Sequence, residues 1–228
     1  QLLKDFFNYS YKLYISGIVS FFNNYLIKSF LSIMLNSSKV AFFGIAQDRA
    51  TLLEKIPNAV NVLLYPRVSN ASLQESSNIT SRAFRIILIL CFYSCLIVSF
   101  FVEPIILIMY GEPYLPVVVP LLLIIPGIIF SGSTSVFNSY FIGIGRADII
   151  MKLSIFPLIL QLSLGFFLIT NYDIIGAALT FTFSMILYGI LQILFFLKIS
   201  KTSYKDLFPL YKDYYYIYNF LKKTILKL

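Results

Sequence analysis

Long apolar runs, each interrupted by a few polar positions, recur along the whole chain. A hydrocarbon core of about 30 Å needs about 20 mostly apolar residues per helix. Six runs meet or approach that length: Tyr11 to Leu35, Val40 to Tyr65, Ala83 to Val102, Tyr114 to Phe141, Ile149 to Thr170 and Ile174 to Leu197. Between them the pattern predicts a tight turn at Asn36-Ser37-Ser38 and a longer polar loop from Arg67 to Arg82. Tight connections are expected at Gly143 to Asp148 and at Asn171-Tyr172-Asp173. Ile105 to Tyr110, closed by Gly111, is too short to span and reads as an interfacial or re-entrant piece. No strand-like alternation appears, which disfavours a membrane β-barrel. The predicted fold class is all-α: a polytopic membrane protein with about six transmembrane helices over residues 1–197. A basic, aromatic tail follows over 198–228.

The basic residues mark one side of this bundle. Lys4 and Lys12, then Arg67, Arg82 and Arg85, then Arg146 and Lys152, then the lysines from Lys198 to Lys227 all fall on alternate connections. The intervening connections hold Lys39 with Glu103, Glu112 and Asp173. An excess of Lys and Arg marks cytoplasmic loops, so six spans with both termini cytoplasmic are expected. The tail mixes Lys with Phe, Tyr, Leu and Ile. It reads either as an amphipathic helix on the inner leaflet or as a loosely ordered basic tail.

The second span is the informative one. It carries Asp48, Arg49, Glu54 and Lys55 with Gln47, Thr51, Asn58 and Asn61. Seven residues return a helix to within about 20° of its start, so Gln47, Glu54 and Asn61 form one line with Asn58 beside it. Asp48, Thr51 and Lys55 form the neighbouring line, and the two together make a broad polar stripe. Charges at mid-bilayer cost about 2.5–3.5 kcal/mol each on insertion scales, and they face protein or water-filled cavities. Two readings stand: a polar cavity that accepts a charged or hydroxyl-rich solute, or a polar network that locks helices together. Asp48 or Thr51 with Lys55, or contacts to other helices, are the expected pairings. Lys28 in the first span, near Asn23 and Asn24, faces the cavity or snorkels toward an interface. Pro57, Pro120 and Pro126-Gly127 are hinge candidates, because proline removes a helix hydrogen bond; static kinks packed by small residues are the alternative.

Composition narrows the function classes. The chain is 59% hydrophobic and 12% charged, against about 45–50% and 25% for soluble domains. Its formal charge of +8 is accounted for by the loops and tail, so no nucleic-acid partner is expected. Histidine is absent, which removes the commonest general base and metal ligand. Neither a metal nor a cofactor is expected. Cys91 and Cys95 lie four apart on one helix face, too far apart for a disulfide, and read as small packed hydrophobes. The chain opens at Gln1 without a leader, and reads as part of a longer protein.

The ordered motifs resemble a known family. Phe43, Gly44 and Ala46, then Pro57, then Pro66-Arg67-Val68-Ser69 are similar to a segment of bacterial polysaccharide flippases. Tyr110-Gly111 with the proline-rich stretch after it resembles the family's Tyr-Gly loop and following helix. Gly143 to Arg146 resembles its Gly-Arg loop, and Tyr172 to Ala178 its late Gly-Ala-Ala stretch, with Asp173 and Ile174 in place of small residues. Tyr25 and Ile27 stand where relatives often carry Arg and Asp. The resemblance, covering nearly the whole chain, is to the C-terminal six-helix half of a Wzx-type flippase in the multidrug/oligosaccharidyl-lipid/polysaccharide exporter superfamily. It implies one half of a two-bundle transporter of the bacterial inner membrane that moves undecaprenyl-diphosphate-linked oligosaccharides without chemistry on them. The implied partners are that substrate, membrane lipids, the N-terminal half and other polysaccharide-assembly membrane proteins. Arg49, Lys55 and Lys28 become candidates for the diphosphate or sugar acids, and Asp48 and Glu54 for sugar hydroxyls or ion coupling. An antiporter of drugs or small metabolites in the same superfamily is the alternative. A membrane polymerase or ligase is a third reading, disfavoured by short outer loops and missing catalytic groups.

Overall fold

The computed structural model describes residues 2–215, with side chains from residue 7 onward except residue 8. The described chain contains helices and turns and no strand. Helix α1 is Leu2–Met34, α2 Ser37–Thr51, α3 Lys55–Ser69, α4 Leu73–Tyr110, α5 Val118–Gly143 and α6 Ala147–Ser200. Of these, α4, α5 with its leading turn, and α6 are long and apolar enough to cross a membrane.

The six expected spans map onto these helices unevenly: α2 and α3 together cover the second, and α6 covers the fifth and sixth. Asp173 breaks α6 with φ 53° and ψ −132°, so residues 147–172 and 174–200 are separate arms. They fold back on each other so tightly that a Cβ on Gly176 would lie 2.0 Å from the carbonyl oxygen of Leu168. Only glycine fits that crossing. The second span is bent instead: a 3-10 turn at Leu52–Glu54 separates α2 from α3. Pro57 follows it in the first turn of α3, where a proline is tolerated because no intrahelical donor is lost.

Contacts sort the connections into two ends. Tyr9 donates to the carbonyl of Ile142 at 3.1 Å, and Ser76 to that of Val68 at 2.9 Å. These gather the start of α1 with the 70–72 and 144–146 connections at an end that also holds Arg67, Arg82, Arg85 and Arg146. At the other end Lys39 pairs with Asp173 at 2.6 Å, and Phe42 meets Tyr114 edge-on. Each end has an aromatic-rich core: Phe43, Ile124 and Phe181 away from the arginines, Phe137, Tyr140 and Phe196 beside them.

Two expectations are corrected. The polar stretch from Arg67 to Arg82 is no long loop: α3 runs to Ser69, and α4 starts at Leu73 with Ser72 capping the amide of Glu75. Its polar residues occupy helix that continues past the apolar layer, since 38 residues extend about 57 Å. Likewise Ile105 to Tyr110 is the continuous end of α4, not a separate interfacial piece, and Pro104 lies inside that helix.

Beyond α6, residues 201–215 turn back onto α4. Arg85 holds Asp213 at 2.7 Å, both side chains largely buried, and donates to the carbonyl of Asp206. Leu207 enters the core beside the arginines. The remainder of the expected amphipathic tail lies outside the described residues.

Candidate functional site

Helix α1 packs along α6, whereas α3 packs along α5 and α4, with little direct contact between α1 and α3. That divergence leaves a cleft of about 470 Å³, within the about 300–1,000 Å³ typical of ligand sites. It lies in the middle and the arginine-rich half of the bundle. Exposed Ser20, Asn24 and Asn58 border it on the α1 and α3 sides.

The lining is polar but almost uncharged. Serines 16, 20, 131, 135, 154 and 184 contribute hydroxyls; Asn23, Asn24, Asn58, Asn138 and Gln161 contribute amides; Tyr188 adds a phenol. Among the described residues, Glu54 is the one acidic side chain in the lining, and no Lys or Arg lines the cleft. Local structure places each group. The 3-10 turn before Pro57 aims Glu54 at α5, where Ser131 donates to its carboxylate at 2.7 Å. One turn pair later, Asn61 donates to Ser135 at 2.8 Å. Gly132 sits between these serines, and a Cβ there would lie 3.3 Å from both Pro57 and Cys91. That close approach lets α3, α4 and α5 meet behind the cleft. Opposite, Asn23 donates to the carbonyl of Ser154 at 2.9 Å. At the floor, Asn138 accepts from Gln192 at 2.7 Å and from Tyr188 at 3.2 Å. The side-chain carbonyl oxygens of Asn23, Asn61 and Gln161 are buried with no hydrogen-bond partner.

The sequence-predicted residues divide into two sets. Glu54, Asn58 and Pro57 line the cleft, and Asn61 stands behind Ser135. Asp48, Arg49, Lys55 and Lys28 do not line it. Lys28 pairs with Asp48 at 2.9 Å, not Lys55 with Asp48. Arg49 donates to the Tyr110 hydroxyl at 2.8 Å and lies 5.6 Å from that ring's centre. Lys55 is exposed. This second set forms an outward face on α1, α2 and the start of α3, outside the cleft. Of the other hinge candidates, Pro120 occupies the first turn of α5, where no intrahelical donor is lost. Pro126 interrupts α5, and Thr182 from α6 donates to the nearby carbonyl of Leu123 at 2.7 Å. Gly127 packs against Thr182 and Met185. Asn138, Ser154, Gln161 and Tyr188 escaped the sequence reading. A lone amide such as Gln161 within an apolar span was the available signal.

Fold and cleft together define a polytopic helical membrane protein with a polar internal compartment. The family model for polysaccharide biosynthesis proteins matches residues 1–119, just over half of the 228 residues, and the chain belongs to that family. The matched region carries α1 to α4 and so the Glu54–Asn58 wall. No curated protein and no solved structure matches the chain significantly. The protein therefore acts in polysaccharide biosynthesis as a membrane component.

Proposed function

We propose that the chain is one bundle of a flippase that carries lipid-linked oligosaccharides across the bacterial cytoplasmic membrane, with both termini on the cytoplasmic side. The observation that carries this reading is the cleft. Amides, hydroxyls and one carboxylate inside a membrane bundle suit a hydroxyl-rich head group, which loses water on entry and regains hydrogen bonds from the walls. The prenyl tail stays in lipid. These groups hold a solute rather than cleave one, in keeping with transport. The outward set supports a second bundle: Arg49, Lys55 and the Lys28–Asp48 pair lie within the first and second apolar runs of the sequence, and charges inside a span need protein or water against them. With an N-terminal bundle opposite, this face borders a central compartment and offers Arg49 and Lys55 to the diphosphate.

Complementation tests the reading. In a strain lacking its own flippase, the full-length protein restores surface polysaccharide. Asn58→Leu with Glu54→Ala lowers export at least about tenfold at equal membrane levels, and lipid-linked units accumulate. Arg49→Ala with Lys55→Ala lowers it as well. Unchanged export in both double variants rejects the cleft and the outward face as the path. Glu54 as the lone carboxylate favours one second reading, an antiporter of cationic drugs or metabolites. Efflux of a cationic dye without any polysaccharide export decides for it.

A further inference from the structure

From the cleft's lining we infer that the group seated in it is an electrically neutral sugar, and that this bundle discriminates against acidic, uronate-bearing repeat units. The inference rests on the flippase reading and names the substrate class within it.

Charge comes first. Among the described residues no Lys or Arg lines the cleft, and Glu54 does. On α1, Lys12 adjoins the lining residue Leu13 without itself lining the cleft, and Lys28, four residues past Asn24, is tied to Asp48 at 2.9 Å outside the lining. A uronate carboxylate entering here leaves water, meets no cation and faces a carboxyl group. An unpaired charge in a low-dielectric pocket is strongly disfavoured. The hydrogen-bond inventory gives the positive side of the choice. Gln161 is 2% exposed and lines the cleft, and its side-chain oxygen has no partner. The side-chain oxygen of Asn23 is in the same condition. Glu54 accepts from Ser131 through one oxygen. The buried free capacity is therefore acceptor capacity, which sugar hydroxyls and acetamido N–H groups satisfy and a carboxylate cannot, while the exposed amides and hydroxyl of Asn24, Asn58 and Ser20 serve either kind of partner. Where the uronate carboxylate replaces a hydroxyl opposite one of these acceptors, acceptor meets acceptor and both are left unpaired, a mismatch that discriminates strongly.

The test compares export of two repeat units by the full-length protein. Two flippase-deficient hosts are used, one assembling a neutral polysaccharide and one a uronate-containing polysaccharide, with membrane levels of protein matched by immunoblot. The expected result is export of the neutral unit at least about tenfold above the uronate unit. Gln161→Leu lowers neutral export about tenfold, and Gln161→Asn recovers part of it. Ser20→Lys, which adds a cation at an exposed wall position, shifts the ratio toward the uronate unit several-fold. Equal export of both units, or a preference for the uronate unit, overturns the inference and leaves the flippase reading standing. Export of neither unit removes the flippase reading and the inference with it. An unmoved ratio in Ser20→Lys also counts against the inference.

Discussion

The Lys28–Asp48 pair shows how a single contact changes the meaning of a charge. Lys28 is three-quarters covered and Asp48 two-thirds exposed, so the pair joins α1 to α2 at the rim rather than inside the cleft. Removing one partner leaves the other without its counter-charge at membrane depth. Asp48→Asn is expected to lower the unfolding temperature of the detergent-solubilised protein. Adding Lys28→Met recovers part of the loss, with a coupling on the order of 1 kcal/mol. Purely additive losses in this double-mutant cycle speak against a real pair. The seven-residue line Gln47–Glu54–Asn61 was legible in the sequence, and the structure turns it inward: Gln47 is buried and donates to the carbonyl of Asn24 at 3.1 Å. The adjoining line of Asp48 and Lys55 was read together with it as one stripe. A helical wheel gives angles but not neighbours, and α5 stands on one side of that stripe only. Gln161 and Asn138 carried only the weak signal of a single amide within a span, without the periodic repeat that marked the second span.

At the level of elements, bends carry more of the site than straight helix does. The 3-10 turn at Leu52–Glu54 and Pro57 rotate Glu54 toward Ser131. The break at Asp173 lets the second arm of α6 return along the first. Its turn at Asn171-Tyr172-Asp173 was legible from three polar residues between apolar runs. The helical state of 73–82 was not, because polarity there reports an aqueous environment beyond the bilayer rather than loss of helix. The hairpin makes a sharp prediction. Gly176→Ala forces a methyl into the Leu168 carbonyl and is expected to destabilise the protein by about 2–4 kcal/mol. Gly17→Ala, on α1 with nothing within 4 Å of its Cβ, should be neutral or stabilising by up to about 1 kcal/mol. Thermal unfolding of the two variants side by side separates backbone crowding from a general intolerance of α6 or α1 to alanine. Similar behaviour of the two variants would contradict the tight hairpin.

Across the whole molecule, three kinds of surface have to coexist. The arginine-rich end faces an aqueous side, the cleft is polar, and side chains such as Val62, Leu63 and Phe100 are apolar and exposed at 74%, 68% and 75%. Exposed apolar groups of this size belong against lipid or a second bundle, since a water-soluble protein rarely leaves so many uncovered. Single cysteines report which is which, and Cys91 and Cys95 do not interfere because both are buried. In right-side-out membrane vesicles, an impermeant maleimide should label Tyr172→Cys from outside. Arg146→Cys and Lys201→Cys should label only after the inner face is opened, as the distribution of basic residues requires. Ser20→Cys and Asn58→Cys should react with a water-soluble reagent although they lie near mid-span, whereas Phe100→Cys stays unreacted. Water reaches the first two through the gap between α1 and α3, and lipid shields the third. Labelling of Arg146→Cys from outside reverses the orientation. Unreactive Ser20→Cys and Asn58→Cys mean that the gap is sealed, and a sealed gap gives a head group no way into the cleft.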